Sequence, residues 1–286
     1  LACPACPRTW FSNKFNRAFP KQDLDLEQLE RFLDCESGQQ IQSFMLNGNH
    51  GDPIYYPDLF SMIDRFRPSK SFKISTNGSY QKSEFWHELS RRLTEQDTVF
   101  FSIDGLEHNN HLYRRNSDWK SIMQGLDIMS RGPARIIWKT LIFAYNANEI
   151  DQMQEFAERR GVEFIAERTG RFGDETLVPE VHLIKVDRLY ENNQDTVVID
   201  PQCSTQEYIS ADGYYWPCCL MTSMFTLHKT ELWKQRAKWS IQNQNLDQAR
   251  LQLEQWKQQI LDNPESAHNV CKMNCKPGQR FAWATM

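Results

Sequence analysis

Between residues 24 and 168 apolar residues recur with two alternating periods. Leu26, Leu29, Phe32 and Leu33 fall at helical spacing, Gly38 follows, and residues 41–46 form an extended run. Leu59, Met62, Ile63 and Phe66 repeat the helical pattern, which Pro68 ends. Residues 71–75 predict a strand, and Ser83 precedes a helix carrying Phe85, Trp86, Leu89 and Leu93. Residues 98–103 predict a short strand rich in aromatic and β-branched side chains. Trp119, Ile122, Met123, Leu126 and Met129 mark a helix face that stops at Gly132-Pro133. A strand at 136–143, a helix at 149–160 and a strand at 162–166 complete the series. Strands alternating with helices at this rhythm imply βαβ crossovers and a parallel sheet of five strands, with a sixth expected just upstream of Leu1. From about residue 173 the rhythm stops. Residues 173–200 read as a connector with one strand-like stretch at 181–186. Residues 201–286 read as a smaller module containing a hairpin at Asp212-Gly213 and a Gln-rich helix whose apolar face is Leu246, Leu253, Trp256 and Ile260.

Composition narrows the picture. The 286 residues carry 33 basic and 37 acidic side chains, a formal net charge of −4, which makes a poor grip on nucleic-acid backbone. Hydrophobic residues at 40% and aromatics at 12% exclude a disordered chain. Apolar runs such as Val99-Phe100-Phe101 fall far short of the ~20 residues that span a bilayer. No GxGxxG follows a strand, so the dinucleotide-binding sheet is disfavoured. The chain begins at Leu1, and a natural start upstream is expected.

Three consecutive strands end in small polar and acidic loops: Gly48-Asn49-His50-Gly51-Asp52-Pro53, then Ser75-Thr76-Asn77-Gly78, then Ser102-Ile103-Asp104-Gly105 with Arg114 twelve residues after Ser102. Any one of these is by default a turn. Their common register at one end of successive strands is what points to a ligand, since working residues of parallel α/β folds collect there. Cys3 and Cys6 form a CxxC in the loop that would follow the upstream strand, at the same end. Taken alone, it is half a zinc site, a redox pair or chance.

Together these residues resemble the radical S-adenosylmethionine (SAM) superfamily, whose CxxxCxxC signature holds a [4Fe–4S] cluster. Cys3 and Cys6 match the second and third cysteines, and the first would lie two residues before Leu1. By the same resemblance His50-Gly51-Asp52-Pro53 corresponds to the family's GGEP segment, with Asp in place of Glu, which binds the methionine amino group. Ser75 and Asn77 correspond to polar residues reaching the SAM ribose or methionine moiety. Ser102 and Arg114 correspond to the pair on the ribose and carboxylate, and Asp104 joins the cofactor-binding set. The strands through 138–146 and to 166–167 would help hold adenine. The implied fold is a partial (β/α)6 TIM-like barrel over residues 1–172, with a small cysteine-rich domain at 201–286.

That C-terminal module holds Cys203, then Cys218 and Cys219 after fourteen intervening residues, and a closing Cys271-x3-Cys275. Four converging thiolates hold zinc or an iron–sulfur cluster, and spacing alone does not choose. The pattern resembles the SPASM/twitch extension, which implies an auxiliary [4Fe–4S] cluster on Cys203, Cys218, Cys271 and Cys275. It departs from the usual closing CxxC, and Cys219 is a substitute for Cys218. Cys35 reads as a buried small apolar residue. The resemblance implies an iron–sulfur oxidoreductase or maturase in a reducing, cytoplasmic setting. It would take electrons from a low-potential donor such as flavodoxin or ferredoxin and act on a peptide or protein. A small-molecule dehydrogenase, or a non-catalytic metal-binding protein on the same scaffold, is the alternative.

Overall fold

The protein is described by a computed structural model covering residues 1–15, 21–48, 51–169, 175–179, 207–218 and 231–275. His50, Cys203, Cys219 and the stretch 181–186 lie outside the described residues. The chain divides into two compact units, one formed by Leu1–Pro20 with Gln42–Val186, the other by Lys21–Ile41 with Asp187–Met286.

The first unit is built on a five-stranded sheet. Its strands are β1 (Ser43–Leu46), β2 (Ser71–Thr76), β3 (Thr98–Ser102), β4 (Arg135–Leu141) and β5 (Glu163–Glu167). They pair in sequential order, all parallel. Each crossover carries a helix, and four of these pack on the same face of the sheet. Phe66 from helix Leu59–Phe66 meets Phe44 of β1 with ring centroids 5.1 Å apart. Trp86 from helix Ser83–Arg92 lies 5.3 Å from Phe101 of β3. Trp119 from helix Trp119–Met129 and Phe156 from helix Ile150–Glu158 both flank Trp138 of β4. Trp86, Trp138, Phe72, Phe101 and Ile74 are fully buried there. Burying a side chain of this size contributes roughly 1.5–3 kcal/mol, so this face is the main store of stability in the unit.

The opposite face sets polar side chains among the buried Phe100 and Ile137. Lys73 and Ser75 of β2, Ser102 of β3, Lys139 of β4 and Glu167 of β5 alternate with the buried positions and are only half-buried. Ser102 pairs in register with Lys139, which forms an ion pair with Glu167 at 2.8 Å. A parallel sheet with all its helices on one face, and apolar side chains packed among polar ones on the other, is the arrangement of a barrel wall around a filled interior. The expected five-strand α/β architecture is therefore present.

The second unit begins with a departure from the sequence-derived boundaries. Helix Leu26–Leu33, expected within a domain at 1–172, falls in this unit instead. Asp25 caps it, accepting from Gln28 N–H at 2.9 Å, and its fully buried Phe32 packs 5.9 Å from the ring of Tyr215. Its apolar stripe announced burial, but a stripe does not name its partner. The hairpin at Asp212-Gly213 is present, with β6 (Tyr208–Ile209) antiparallel to β7 (Tyr215–Trp216) and Gly213 at φ 78°. Helix Leu246–Asp262 starts at a reciprocal capping box between Asn245 and Gln248 and buries Leu246, Ala249, Leu253 and Ile260.

Candidate functional site

At the C-terminal ends of β1 and β2, Asp52 ties two loops together. It caps the single turn Pro53–Tyr55, accepting from Ile54 N–H at 3.3 Å. Pro53 suits the first position of that turn because no N–H is required there. The other carboxylate oxygen accepts from Asn77 N–H at 2.7 Å and from the Asn77 side-chain amide. Burial pushes the Asp52 carboxyl above its ordinary pKa, and the bonds from Asn77, Thr76 and Ile54 pull the other way. Gly51 is exposed beside it, and Ser75 and Asn77 are half-buried. Gly78 turns the β2 loop at φ 72°, a backbone conformation that disfavours side chains.

The loop after β3 is anchored more deeply. Asp104 is wholly buried, and each carboxylate oxygen is engaged: Oδ2 accepts from Arg114 Nε at 2.5 Å and Oδ1 from Leu141 N–H at 2.7 Å. Its own N–H donates to Asn110 Oδ1 at 2.9 Å, and its carbonyl accepts from Asn146 Nδ2 at 2.7 Å. Asn146 also accepts from Phe143 N–H, so it fixes the chain leaving β4 against the chain leaving β3. Gly105 is required for this fold of the loop, since a Cβ there would lie 2.3 Å from Asn109 Oδ1. Burial alone would lower the pKa of Arg114. The charges of Asp104 and Cys3 outweigh it and hold the guanidinium above its ordinary value.

The N-terminal thiols join this end. Cys3 is buried in one apolar cluster with Tyr113, Phe143 and Leu177, against which Leu1, Ala5, Cys6, Leu141 and Tyr145 pack. Cys6 N–H donates to the Cys3 carbonyl at 3.0 Å, and Ala2 N–H to the Arg115 carbonyl at 3.0 Å, docking the loop beside Arg114. Burial raises the Cys3 thiol pKa, which Arg114 opposes. Two soft sulfur donors beside a guanidinium suit a thiolate-bound metal group with an anion next to it. Among the described residues no group of three or more His, Cys, Asp or Glu is placed to hold a metal ion.

The structure therefore brings Cys3, Cys6, Asp104 and Arg114 together, with Ser102 ending β3 nearby in sequence. It links Asp52, Pro53 and Asn77 in a second group. In the other unit, Cys271 and Cys275 share an apolar cluster with Ile260 and Ala267, against which Cys218 packs. Cys35 is half-buried at the start of helix Glu36–Gln40, its Sγ 3.8 Å from the Phe32 carbonyl, in keeping with a packing role. Two features went unread in the sequence. The Lys139–Glu167 pair was visible as a lysine interrupting an apolar strand. Tyr145, just past the end of β4, carried no signal, because its burial depends on how Asn146 folds the loop.

No family model and no curated protein matches the chain. Solved structures do. anSMEcpe with bound AdoMet and Kp18Cys peptide is similar over 98% of this chain and 85% of its own, at 14% identity and a TM-score of 0.55. SuiB of Streptococcus suis bound to S-adenosylmethionine is similar over 82% of this chain, at 14% identity and a TM-score of 0.53. The match spans 62% of that SuiB chain, and 36% of the SuiB chain bound to precursor peptide SuiA. The chain thus shares the fold of anSMEcpe and SuiB.

Proposed function

We propose that this chain is a radical SAM enzyme acting on a peptide or protein. The observation that carries the reading is the convergence of the Cys3–Cys6 loop on the pair made by half-buried Arg114 and buried Asp104 at the C-terminal edge of a parallel sheet. In this reading Cys3 and Cys6 are two thiolate ligands of a [4Fe–4S] cluster, and Arg114 receives the carboxylate of SAM. When bound and reduced, that pair supplies a 5′-deoxyadenosyl radical that takes hydrogen from an unactivated C–H bond.

The protein's own residues bind and orient. Asp104 is a positioning residue, because its oxygens are committed to Arg114 and Leu141. Asp52 fixes Asn77 through both its backbone and side-chain N–H groups and so presents it, with Gly51 and Pro53, to the methionine amino group. Ser75 and Ser102, on the sheet face opposite the helices, serve the ribose. Lys139, in register with Ser102, forms an ion pair with Glu167 on that face.

A peptide or protein substrate is favoured over a small alcohol because the anSMEcpe structures similar to this chain include a peptide-bound form. The net reaction is an oxidation or cross-link, fed by a low-potential donor such as flavodoxin or ferredoxin. An auxiliary [4Fe–4S] or zinc site on Cys203, Cys218, Cys271 and Cys275 belongs to the same reading; Cys271 and Cys275 share an apolar cluster against which Cys218 packs. The test is AdoMet binding by calorimetry on the natural full-length protein, reconstituted anaerobically with iron and sulfide. Stoichiometric binding that is lost in Arg114→Met supports the reading. Bound zinc with no affinity for AdoMet overturns it.

A further inference from the structure

Tyr145 presents a polar atom that the protein leaves unanswered. Its hydroxyl is fully buried and, among the described residues, has no hydrogen-bond partner. The ring is held firmly: it stacks on Phe143 at 5.6 Å and 10°, and Phe143 stacks on Tyr113 at 4.3 Å. Asn146 pins the backbone by accepting from Phe143 N–H at 2.7 Å, and the Asn109 side chain donates to the Tyr145 carbonyl at 3.5 Å. The phenol packs against the cluster containing Cys3.

Arg114 borders the same cluster, its guanidinium 5.6 Å from the ring centroid of Tyr113. The hydroxyl makes no hydrogen bond to Asp104, whose oxygens are engaged by Arg114 and Leu141, and Arg114 has only donors to offer. A phenol is protonated at neutral pH, so the group is a donor there. A buried, unsatisfied hydroxyl costs free energy that an incoming acceptor restores. With the Arg114 guanidinium bordering the same cluster and its Nε committed to Asp104, the acceptor that suits both donors is an anion with two oxygens, a carboxylate.

We propose that the Tyr145 hydroxyl donates a hydrogen bond to the carboxylate of bound SAM, sharing that carboxylate with Arg114. The assignment rests on the radical SAM reading. Tyr145→Phe in the reconstituted full-length protein tests it by calorimetry with AdoMet and with its decarboxylated sulfonium analogue. The expected result is an affinity for AdoMet weakened about tenfold, the scale of a hydrogen bond to a charged group, with the analogue bound as by the wild type. The melting temperature of the ligand-free variant is expected to hold or rise, because the change removes an unsatisfied buried group; a structural hydroxyl would lower it. Equal loss with both ligands, or no loss with AdoMet, overturns the Tyr145 assignment alone. Absence of AdoMet binding by the wild type overturns the enzyme reading and this assignment with it.

Discussion

Arg114 donates its Nε–H to Asp104 at 2.5 Å, and the Asp104 side chain has no exposure to solvent. The pair joins the end of β3 to the chain ten residues later, and Leu141 N–H ties the same carboxylate to the end of β4. A buried guanidinium stripped of its carboxylate is strongly destabilising. Asp104→Ala is therefore expected to cost about 3–5 kcal/mol in denaturant unfolding. A loss under about 1 kcal/mol, the range of exposed ion pairs, would show that the pair does not organise the site.

Asp52 gives a pH signature. Its folded-state pKa lies above the unfolded value, so the folded chain holds the proton more tightly. Its contribution to stability is complete below the ordinary carboxylate range and is lost as pH rises through the raised pKa. Asp52→Asn removes that contribution while preserving size. The stability difference between wild type and variant, followed by urea unfolding from about pH 4 to 7, is expected to shift steadily against the wild type as pH rises. A flat difference would mean that Asp52 titrates as it does in the unfolded chain.

Gly78 stands at φ 72°, and a Cβ built there would lie 3.0 Å from the Phe101 ring. Backbone strain and ring crowding act in the same direction. Gly78→Ala is expected to lower stability by about 1–3 kcal/mol, measured by thermal unfolding. An unchanged midpoint would show that the β2 loop relaxes without cost.

The second unit has its own test. Asn245 and Gln248 satisfy each other's backbone N–H groups at the start of helix Leu246–Asp262, at 3.0 Å in each direction. Asn245→Ala removes one half of that exchange and is expected to cost about 1 kcal/mol. Hydrogen exchange should show the first turn of this helix opening faster, while the sheet of the first unit keeps its protection. Uniform acceleration in both units would mean that they unfold as one.

The order of elements in the first unit was legible in the sequence because the period changes from 3.6 to 2 at each boundary, and all five strands form within a few residues of their expected limits. Strand 136–143 ends early, at Leu141, because Asn146 draws Phe143 out of the ladder. The grouping of Cys3 with Arg114 was legible only as a shared sheet edge. The role of Asp104 was not: Asp-Gly reads as a turn or a ligand, and only the geometry commits both of its oxygens to the protein. Helix Leu26–Leu33 shows the same limit, since its stripe of Leu26, Leu29, Phe32 and Leu33 was plain while the unit it joins depends on Tyr215, far along the chain.

The most direct measurement of the central claim is product formation. The natural full-length protein, reconstituted without oxygen, is given AdoMet and dithionite, and 5′-deoxyadenosine is quantified by mass spectrometry. The expected result is 5′-deoxyadenosine formed in wild type, abolished in Cys3→Ala and sharply reduced in Arg114→Met. A reconstituted protein that carries iron and sulfide yet forms none would contradict the radical SAM assignment of the Cys3–Arg114 site.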